Sequence, residues 1–578
     1  MGVGDGESAS AFTRTICAAA LLFLLAGPLH AQDPATQPSP IVLPPRVGVT
    51  EGPPRPLTLD EAIRLTLEGN NDVTIARLEL QSSREGIRAA EGVFEPRFFP
   101  SLSYQRSTTA SASAIGGAVN GRLEQNQLVA GLGFDGRAPW AGGRYSVDFT
   151  STRLESGNQF ARLNPQYPSA LGASFIQPLF RGRAFDQERR QIEIARRATD
   201  LTDAQLAQVV TEQLTLVEEA YWNLVFAARN LEVQAQALAQ ARGQVTSNER
   251  QAQEGTLAPI DVVEAETQVA NFRQNVASAQ QALTEAENRL KSLMMARRDG
   301  ELWNQALVPA DSADRPVPQV SLDEAVQGAM ARRPELRALD TARAQNEVDQ
   351  RFFRDQAKPQ VDLVGGYTLQ GLAGAPLVAA GAPVGGSVAD AAILARLNEL
   401  SLLAGLLPLD VPPPTAGATV PDFFRGAYGQ SLSNILARRF PTALVQLQVE
   451  LPFGNRTAKA NVARAEIAAE QIARQRQRLE QVIEVEVRNA LQAVRSSEER
   501  LDAAASAQRN ASEQYESERR RFESGLSTVF LVLERQTGLV NAQARELRAR
   551  ADLNQAIAVL DRAVGGTLER HGVTVERP

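Results

Sequence analysis

The sequence predicts a mainly α fold with membrane β: a long coiled-coil α-helical barrel plus transmembrane β-barrel strands, internally duplicated. Three observations predict it. Leu57-Thr58-Leu59-Asp60-Glu61-Ala62 returns as Val320-Ser321-Leu322-Asp323-Glu324-Ala325, and the same register aligns Pro96 with Pro359 and Tyr104 with Tyr367. Further on, Gly255, Val262, Glu264, Thr267, Asn271 and Leu290 align with Gly525, Val532, Glu534, Thr537, Asn541 and Leu560, so one unit of about 260 residues is written twice. In each copy, 3.5-residue apolar spacing is sustained far beyond the length of an ordinary helix. Between the helices lie period-2 segments that hold most of the aromatic side chains.

The chain opens with Arg14, then a short apolar run from Ile16 to Ala26, then Gly27-Pro28-Leu29-His30-Ala31. This is a signal peptide over residues 1–31, cut near Ala31, because the run is shorter than the roughly 20 residues of a membrane anchor. Cys17 precedes most of the apolar run, so it is not the cysteine of a lipoprotein. Residues 32–56 carry eight prolines and read as an extended linker. The first copy is placed at 57–319, the second at 320–566, and a C-terminal tail at 567–578.

Thr58 with Glu61, and Ser321 with Glu324, have capping-box spacing. The opening helices are expected to run unbroken to about residues 94 and 356, where Pro96 and Pro359 stop them. Strands follow. Tyr145, Val147 and Phe149 alternate with Ser146, Asp148 and Thr150; Val445, Leu447, Val449 and Leu451 alternate with Gln446, Gln448 and Glu450. Long helices are expected over 183–253 and 456–523, with seams Val217, Tyr221, Leu224, Ala228, Leu231, Ala235, Leu238 and Val487, Ala490, Val494, Ser497, Leu501. Each would be roughly 100 Å long. Turns at Gly255 and Gly525 lead into returning helices, 258–297 and 527–564. An opening helix stacked on a returning one should match the length of the long helix.

Two strands per copy give four per chain, too few to close when the smallest membrane barrels have about 8. Open edges are not tolerated in lipid, so closure demands an oligomer; a homotrimer would give a twelve-stranded barrel. Residues 122–155 read as an extra hairpin of undecided place, and 372–440 as a Gly/Ala/Pro-rich insertion.

The chemistry is as informative for what is missing. Of 578 residues, one is Cys and two are His, and Cys17 and His30 fall in the signal. No catalytic, cofactor-binding or metal site is expected. The net charge of −7 argues against nucleic acid as a partner. Gly131-Leu132-Gly133-Phe134-Asp135-Gly136 satisfies G-x-G-x-x-G but does not open a helix, so glycines of a strand and turn explain it. Glu218 and Glu219 point in different directions on a helix and are not an acid/base pair. Arginine pairs such as Arg189-Arg190 and Arg196-Arg197 read as solvated faces or ion pairs. Trp140 and Tyr145 belong either to an interfacial aromatic girdle or to the core of the extra hairpin.

Over nearly all of residues 57–565 the chain resembles the TolC-like outer membrane efflux proteins, the outer membrane factors of tripartite efflux and type I secretion systems. The resemblance rests on the two Leu-Asp-Glu-Ala openings and on Gln177-Pro178-Leu179-Phe180 and Leu451-Pro452-Phe453-Gly454. It rests also on the turns Glu254-Gly255-Thr256-Leu257-Ala258-Pro259-Ile260-Asp261 and Ser524-Gly525-Leu526-Ser527-Thr528-Val529. It implies a homotrimeric, non-enzymatic duct whose barrel lies in outer membrane lipid and whose helices cross the periplasm. It also implies docking of a periplasmic adaptor (membrane fusion protein) at the tips, around Gly255, Thr256, Leu257, Gly525, Leu526 and Ser527. An inner-membrane pump of RND, ABC or MFS type would drive the substrate. The family often carries an aspartate at the tip constriction in each copy. Asp261 matches in the first, the second has Leu531, and Glu534 is the nearest acid, so these three form the candidate gate. A periplasmic coiled-coil adaptor is the alternative reading; it would need a single hairpin and an inner-membrane tether.

Overall fold

A computed structural model describes residues 46–50, 53–112, 117–118, 120–158, 160–377, 388–409 and 420–574. The signal peptide and most of the linker lie outside the described residues. The linker's end is structured: strand β1 (Arg55–Leu57) pairs in parallel with β6 (Leu307–Pro309).

Both opening helices are broken in two, against the expectation of one continuous helix. In the first copy α1 (Leu59–Gly69) and α2 (Asn71–Glu91) meet at Asn70, whose extended backbone and side-chain oxygen cap the N–H groups of Asp72 and Val73. In the second, α5 (Leu322–Arg332) and α6 (Pro334–Gln356) meet at Arg333, which the following proline holds out of the helical region. The capping box is complete at Ser321 and Glu324 but half-formed at Thr58, because Glu61 turns instead to Arg55 at 2.6 Å.

The long helices are α3 (Gln187–Gln253) and α9 (Arg456–Glu523), and the returning ones α4 (Pro259–Met294) and α10 (Val529–Val564). The length match is made by α2 with α4 and by α6 with α10, not by the whole opening segment. At the junction Asn70 Nδ2 donates to the Leu293 carbonyl at 2.8 Å, and Gly69 approaches so closely that a Cβ would lie 2.4 Å from the Met294 oxygen. The second copy uses Arg333, which donates to Glu486 at 2.9 Å and to the Ala563 carbonyl at 3.3 Å. In the predicted seam Val217, Tyr221, Leu224, Leu231 and Leu238 are buried, as are Val487, Ala490, Val494 and Ser497. Below Ser497 the seam residue Leu501 is only half-buried.

The sheet differs most from expectation. The first copy supplies four strands, β2 (Arg97–Ala110), β3 (Arg122–Arg137), β4 (Arg144–Ser156) and β5 (Leu163–Pro178). The second supplies two, β7 (Gln360–Pro376) and β8 (Phe440–Glu450). They form one antiparallel six-stranded sheet in the order β2-β3-β4-β5-β7-β8. The extra hairpin is therefore part of the sheet, and among the described residues the count is six strands per chain rather than four. Gly131, Gly133 and Gly136 sit inside β3 and open no helix; at Gly133 a Cβ would collide with the Phe99 ring. The 372–440 insertion holds the end of β7, α7 (Val388–Leu403) and α8 (Tyr428–Leu436); residues 378–387 and 410–419 lie outside the described residues. α8 rests on β7 and β5, where a Cβ on Gly371 would meet the Ser431 carbonyl at 2.2 Å. In the segment placed as the C-terminal tail, the short α11 (Thr567–Arg570) packs on α3; residues 575–578 lie outside the described residues.

Candidate functional site: the paired helix tips and the strand wall

At the far end of the helices the two copies build the same turn. Gly255 N–H donates to the Ala252 carbonyl and Thr256 N–H to the Gln251 carbonyl, at 3.1 and 2.9 Å; Gly525 and Leu526 repeat this on Phe522 and Arg521 at 2.9 and 2.8 Å. This is a Schellman motif, and it sets φ at +75° and +73°. Nothing lies within 4 Å of a Cβ built on either glycine, so the backbone conformation, not crowding, selects the residue. Thr256 Oγ1 adds a bond to Gln251 O at 2.9 Å, and Ser527 Oγ binds Glu518.

The two tips pack on each other. Ala265 of α4 is buried with Val529 and Leu533 of α10, with Leu257 and Phe522 against them. Gln268 Nε2 donates to Thr537 Oγ1 at 2.8 Å across the copies. Around this small core Ile260, Leu526 and Phe530 stand 55–72% exposed. Ile260 and Phe530 occupy equivalent places in the two copies, an exposed apolar pair that the sequence reading passed over.

Asp261 lies in the first turn of α4, half-buried, where a negative charge favours the helix dipole. Leu531 is half-buried in the first turn of α10, while Glu534 is exposed and stands a turn further along. The internal alignment pairs Asp261 with Leu531 and Glu534 with Glu264. Among the described residues no group of three or more His, Cys, Asp or Glu could hold a metal ion.

The strand wall has two unlike faces. The pairing registers put Leu102, Ala130, Ser151, Ser169 and Gly371 in one row, and below it Pro100, Leu132, Phe149, Leu171, Leu369 and Pro441. The next rows carry Phe98, Phe134, Val147, Ala173 and Tyr367, then Tyr145, Phe175 and Val445. The opposite face carries Ser101, Ser103, Gln127, Ser146, Asp148, Ser174, Thr368 and Gln446. Period-2 alternation with one apolar face, over strands long enough to span, is the pattern of a membrane barrel wall. Tyr145 belongs to the apolar face, its ring centroid 6.1 Å from that of Phe134, and Trp140 is exposed at the helix-proximal turn.

A charged cluster that the sequence did not suggest ties the C-terminal end to α3. Fully buried Glu218 meets His571 Nε2 at 2.8 Å and Arg315 at 3.2 Å. Burial pushes the Glu218 carboxyl up, but His571 and Arg315 outweigh it and hold it below the ordinary range. Asp561, paired with Arg570, goes the other way: burial raises it to about 6. Glu219 is raised by burial, with the Glu218 charge adding to the rise and Arg562 opposing it. Lys291 is likewise buried and satisfied, by Glu287 at 2.6 Å and two carbonyls. The arginine runs make ion pairs: Arg190 with Asp349, Arg196 with Glu91, Arg197 with Glu193.

No curated protein matches the sequence. Among solved structures the chain is similar to the outer-membrane channel OprN (TM-score 0.57, 16% identity, covering 88% of this chain and 90% of that one). It is similar to the Campylobacter jejuni CmeC outer membrane channel (0.56, 15%, 88% and 86%). It is also similar to the open state of the Neisseria gonorrhoeae MtrE outer membrane channel (0.52, 17%, 92% and 97%). At these identities the likeness shows the fold. The pattern of the family described as "Outer membrane efflux protein" matches residues 144–294 and 427–566, half of the chain; the first match runs from β4 and the second from α8 and β8, each through a long helix and its returning partner. The chain belongs to the outer membrane efflux protein family and is an outer membrane protein.

Proposed function

We propose that the protein is the exit duct of a tripartite efflux or type I secretion system, conducting substrates passively from a periplasmic adaptor and inner-membrane pump to the exterior. The observation that carries this reading is the pairing of two opposite ends in one chain. A sheet with an apolar face and open edges stands at one end of helices roughly 100 Å long, and two identical glycine turns stand packed together at the other. The half-buried lower seam of α9 supports a homotrimer, in which a neighbouring copy would cover it. The exposed Ile260, Leu526 and Phe530 support adaptor docking around Gly255, Thr256, Leu257, Gly525, Leu526 and Ser527. Asp261, Leu531 and Glu534 are the proposed gate, with an acid missing from the second copy's equivalent position. A periplasmic adaptor is disfavoured by the second hairpin and by the strand wall.

The test is the double variant Gly255→Trp plus Gly525→Trp. Nothing crowds a Cβ at either site, but a tryptophan at φ near +75° also strains the turn, so Gly255→Asn plus Gly525→Asn, which tolerates that backbone, is the control and should keep both efflux and cross-linking. In the tryptophan variant efflux and adaptor cross-linking are expected to be lost while the protein still sediments with outer membrane porins. Unchanged efflux and cross-linking in that variant would remove the tips from adaptor docking.

A further inference from the structure

We propose that β2 of one copy pairs with β8 of the next, so that three copies close an eighteen-stranded barrel rather than a twelve-stranded one. This rests on the homotrimer of the preceding reading and concerns where its copies join.

Among the described residues both ends of the sheet are open, since β2 and β8 each have one neighbour only. Both edges carry exposed apolar side chains: Phe98, Leu102 and Tyr104 on one, Val445, Leu447 and Val449 on the other, each more than half exposed. Soluble proteins blunt such edges with charge, and in lipid an unpaired edge is not viable. The occupant is a second copy because the two edges fit each other. β2 leaves the helices and β8 returns to them, so a head-to-tail ring sets them antiparallel, with the same pair of surfaces repeated at each junction. Their lengths, 14 and 11 residues, are similar, and each edge loses one donor, at Pro100 and Pro441.

The internal stagger supplies an independent check. Between β3 and β4, and between β7 and β8, the helix-proximal strand ends are level. At β2–β3, β4–β5 and β5–β7 the later strand runs two residues further, always in the same direction. With about 3.3 Å per residue and 4.8 Å between strands, this one-directional stagger, averaged over the sheet, corresponds to a strand tilt of about 35° if the seam is level and about 43° if it adds two residues. Closed membrane barrels have strands tilted by about 35–45°, so the sheet already carries the shear that closure needs. The seam offset must be even, because an odd one would set the apolar face of one copy against the polar face of the next. A level seam places Arg97 opposite Glu450, Ser101 opposite Gln446 and Leu102 opposite Val445. A two-residue step places Ser101 opposite Gln448 and Leu102 opposite Leu447. At such a tilt eighteen strands give a backbone diameter of about 35 Å, against about 24 Å for twelve.

Disulfide trapping tests the seam. In a Cys17→Ala background no other cysteine is present, and Ser101 and the β8 residues lie on opposite edges of one chain, so only neighbouring copies can join. Ser101→Cys is combined with Gln446→Cys or with Gln448→Cys and oxidised in native membranes. One pair is expected to give a reducible ladder that ends at three chains, while Ser101→Cys with Thr368→Cys, in the interior strand β7, stays monomeric. If these variants fail to reach the membrane, Leu102→Cys with Val445→Cys or Leu447→Cys replaces them. A protein that is trimeric by light scattering in detergent yet cross-links in none of these pairs overturns the seam. A ladder ending at another number overturns the eighteen strands. A monomer by light scattering would instead refute the homotrimer on which the inference rests.

Discussion

Glu218 is buried without residual exposure, and what keeps it ionised comes from sequence positions far away, His571 and Arg315. Removing its charge strands both partners, which costs about 1–3 kcal/mol for a buried unsatisfied group. The pH dependence follows from the depressed carboxyl. A lowered folded pKa contributes stability that is present above the unfolded value, ordinarily 4.5, and is lost as the pH falls through the folded one. Glu218→Gln should therefore unfold at a lower temperature than the wild type at pH 7, and the gap should close as the pH falls below about 4.5. Thermal unfolding of the detergent-extracted protein measures both; a gap that stays constant down to pH 3 would rule out the carboxylate as its source. No local pattern marks this cluster. Glu218-Glu219 reads as two acids on a helix, and only the fold shows that one points into the core towards a histidine 353 positions away.

The helices were legible because their signals are local and repeated. Apolar spacing places α3, α9 and the returning helices within a few residues, and glycine marks both tip turns. The breaks in the opening helices are where such reading failed, although their signals are short and present: Gly69-Asn70-Asn71 in one copy and Arg333-Pro334 in the other. An apolar period that continues through a break hides it, because the same face is buried on either side. Asn70 does two jobs there, capping α2 and holding the Leu293 carbonyl at the end of α4. Asn70→Ala removes the cap and leaves a buried carbonyl unpaired, and should cost about 1–2 kcal/mol. Hydrogen exchange is expected to rise at Asp72, Val73 and the last turn of α4, with the tip turns unchanged. Equal exchange in variant and wild type would mean that packing alone holds the junction.

At the scale of the whole molecule the duplicated sequence predicts a symmetry that the sheet does not keep. Among the described residues both copies supply one long helix, one returning helix and one glycine tip, but four strands of the large sheet come from the first and two from the second. Period-2 patterning revealed the extra hairpin; it could not place it, since strand order is set by pairing between distant segments and not by alternation within one. The registers place β3 and β4 between β2 and β5 without altering the edges that face neighbouring copies. The hairpin thus widens the sheet from within. Removing β3 and β4 and joining β2 to β5 by a short turn preserves the direction of every remaining strand, because two antiparallel strands are lost together. The seam edges β2 and β8 also survive. If six strands per chain set the bore, the deletion variant should still form a trimer in the outer membrane, but its barrel should shrink from about 35 Å to about 24 Å across the backbone. End-on electron microscopy of the two proteins reads that difference directly, with the helical part as an internal ruler. An unchanged ring diameter would show that β3 and β4 lie outside the closed wall in the assembled protein.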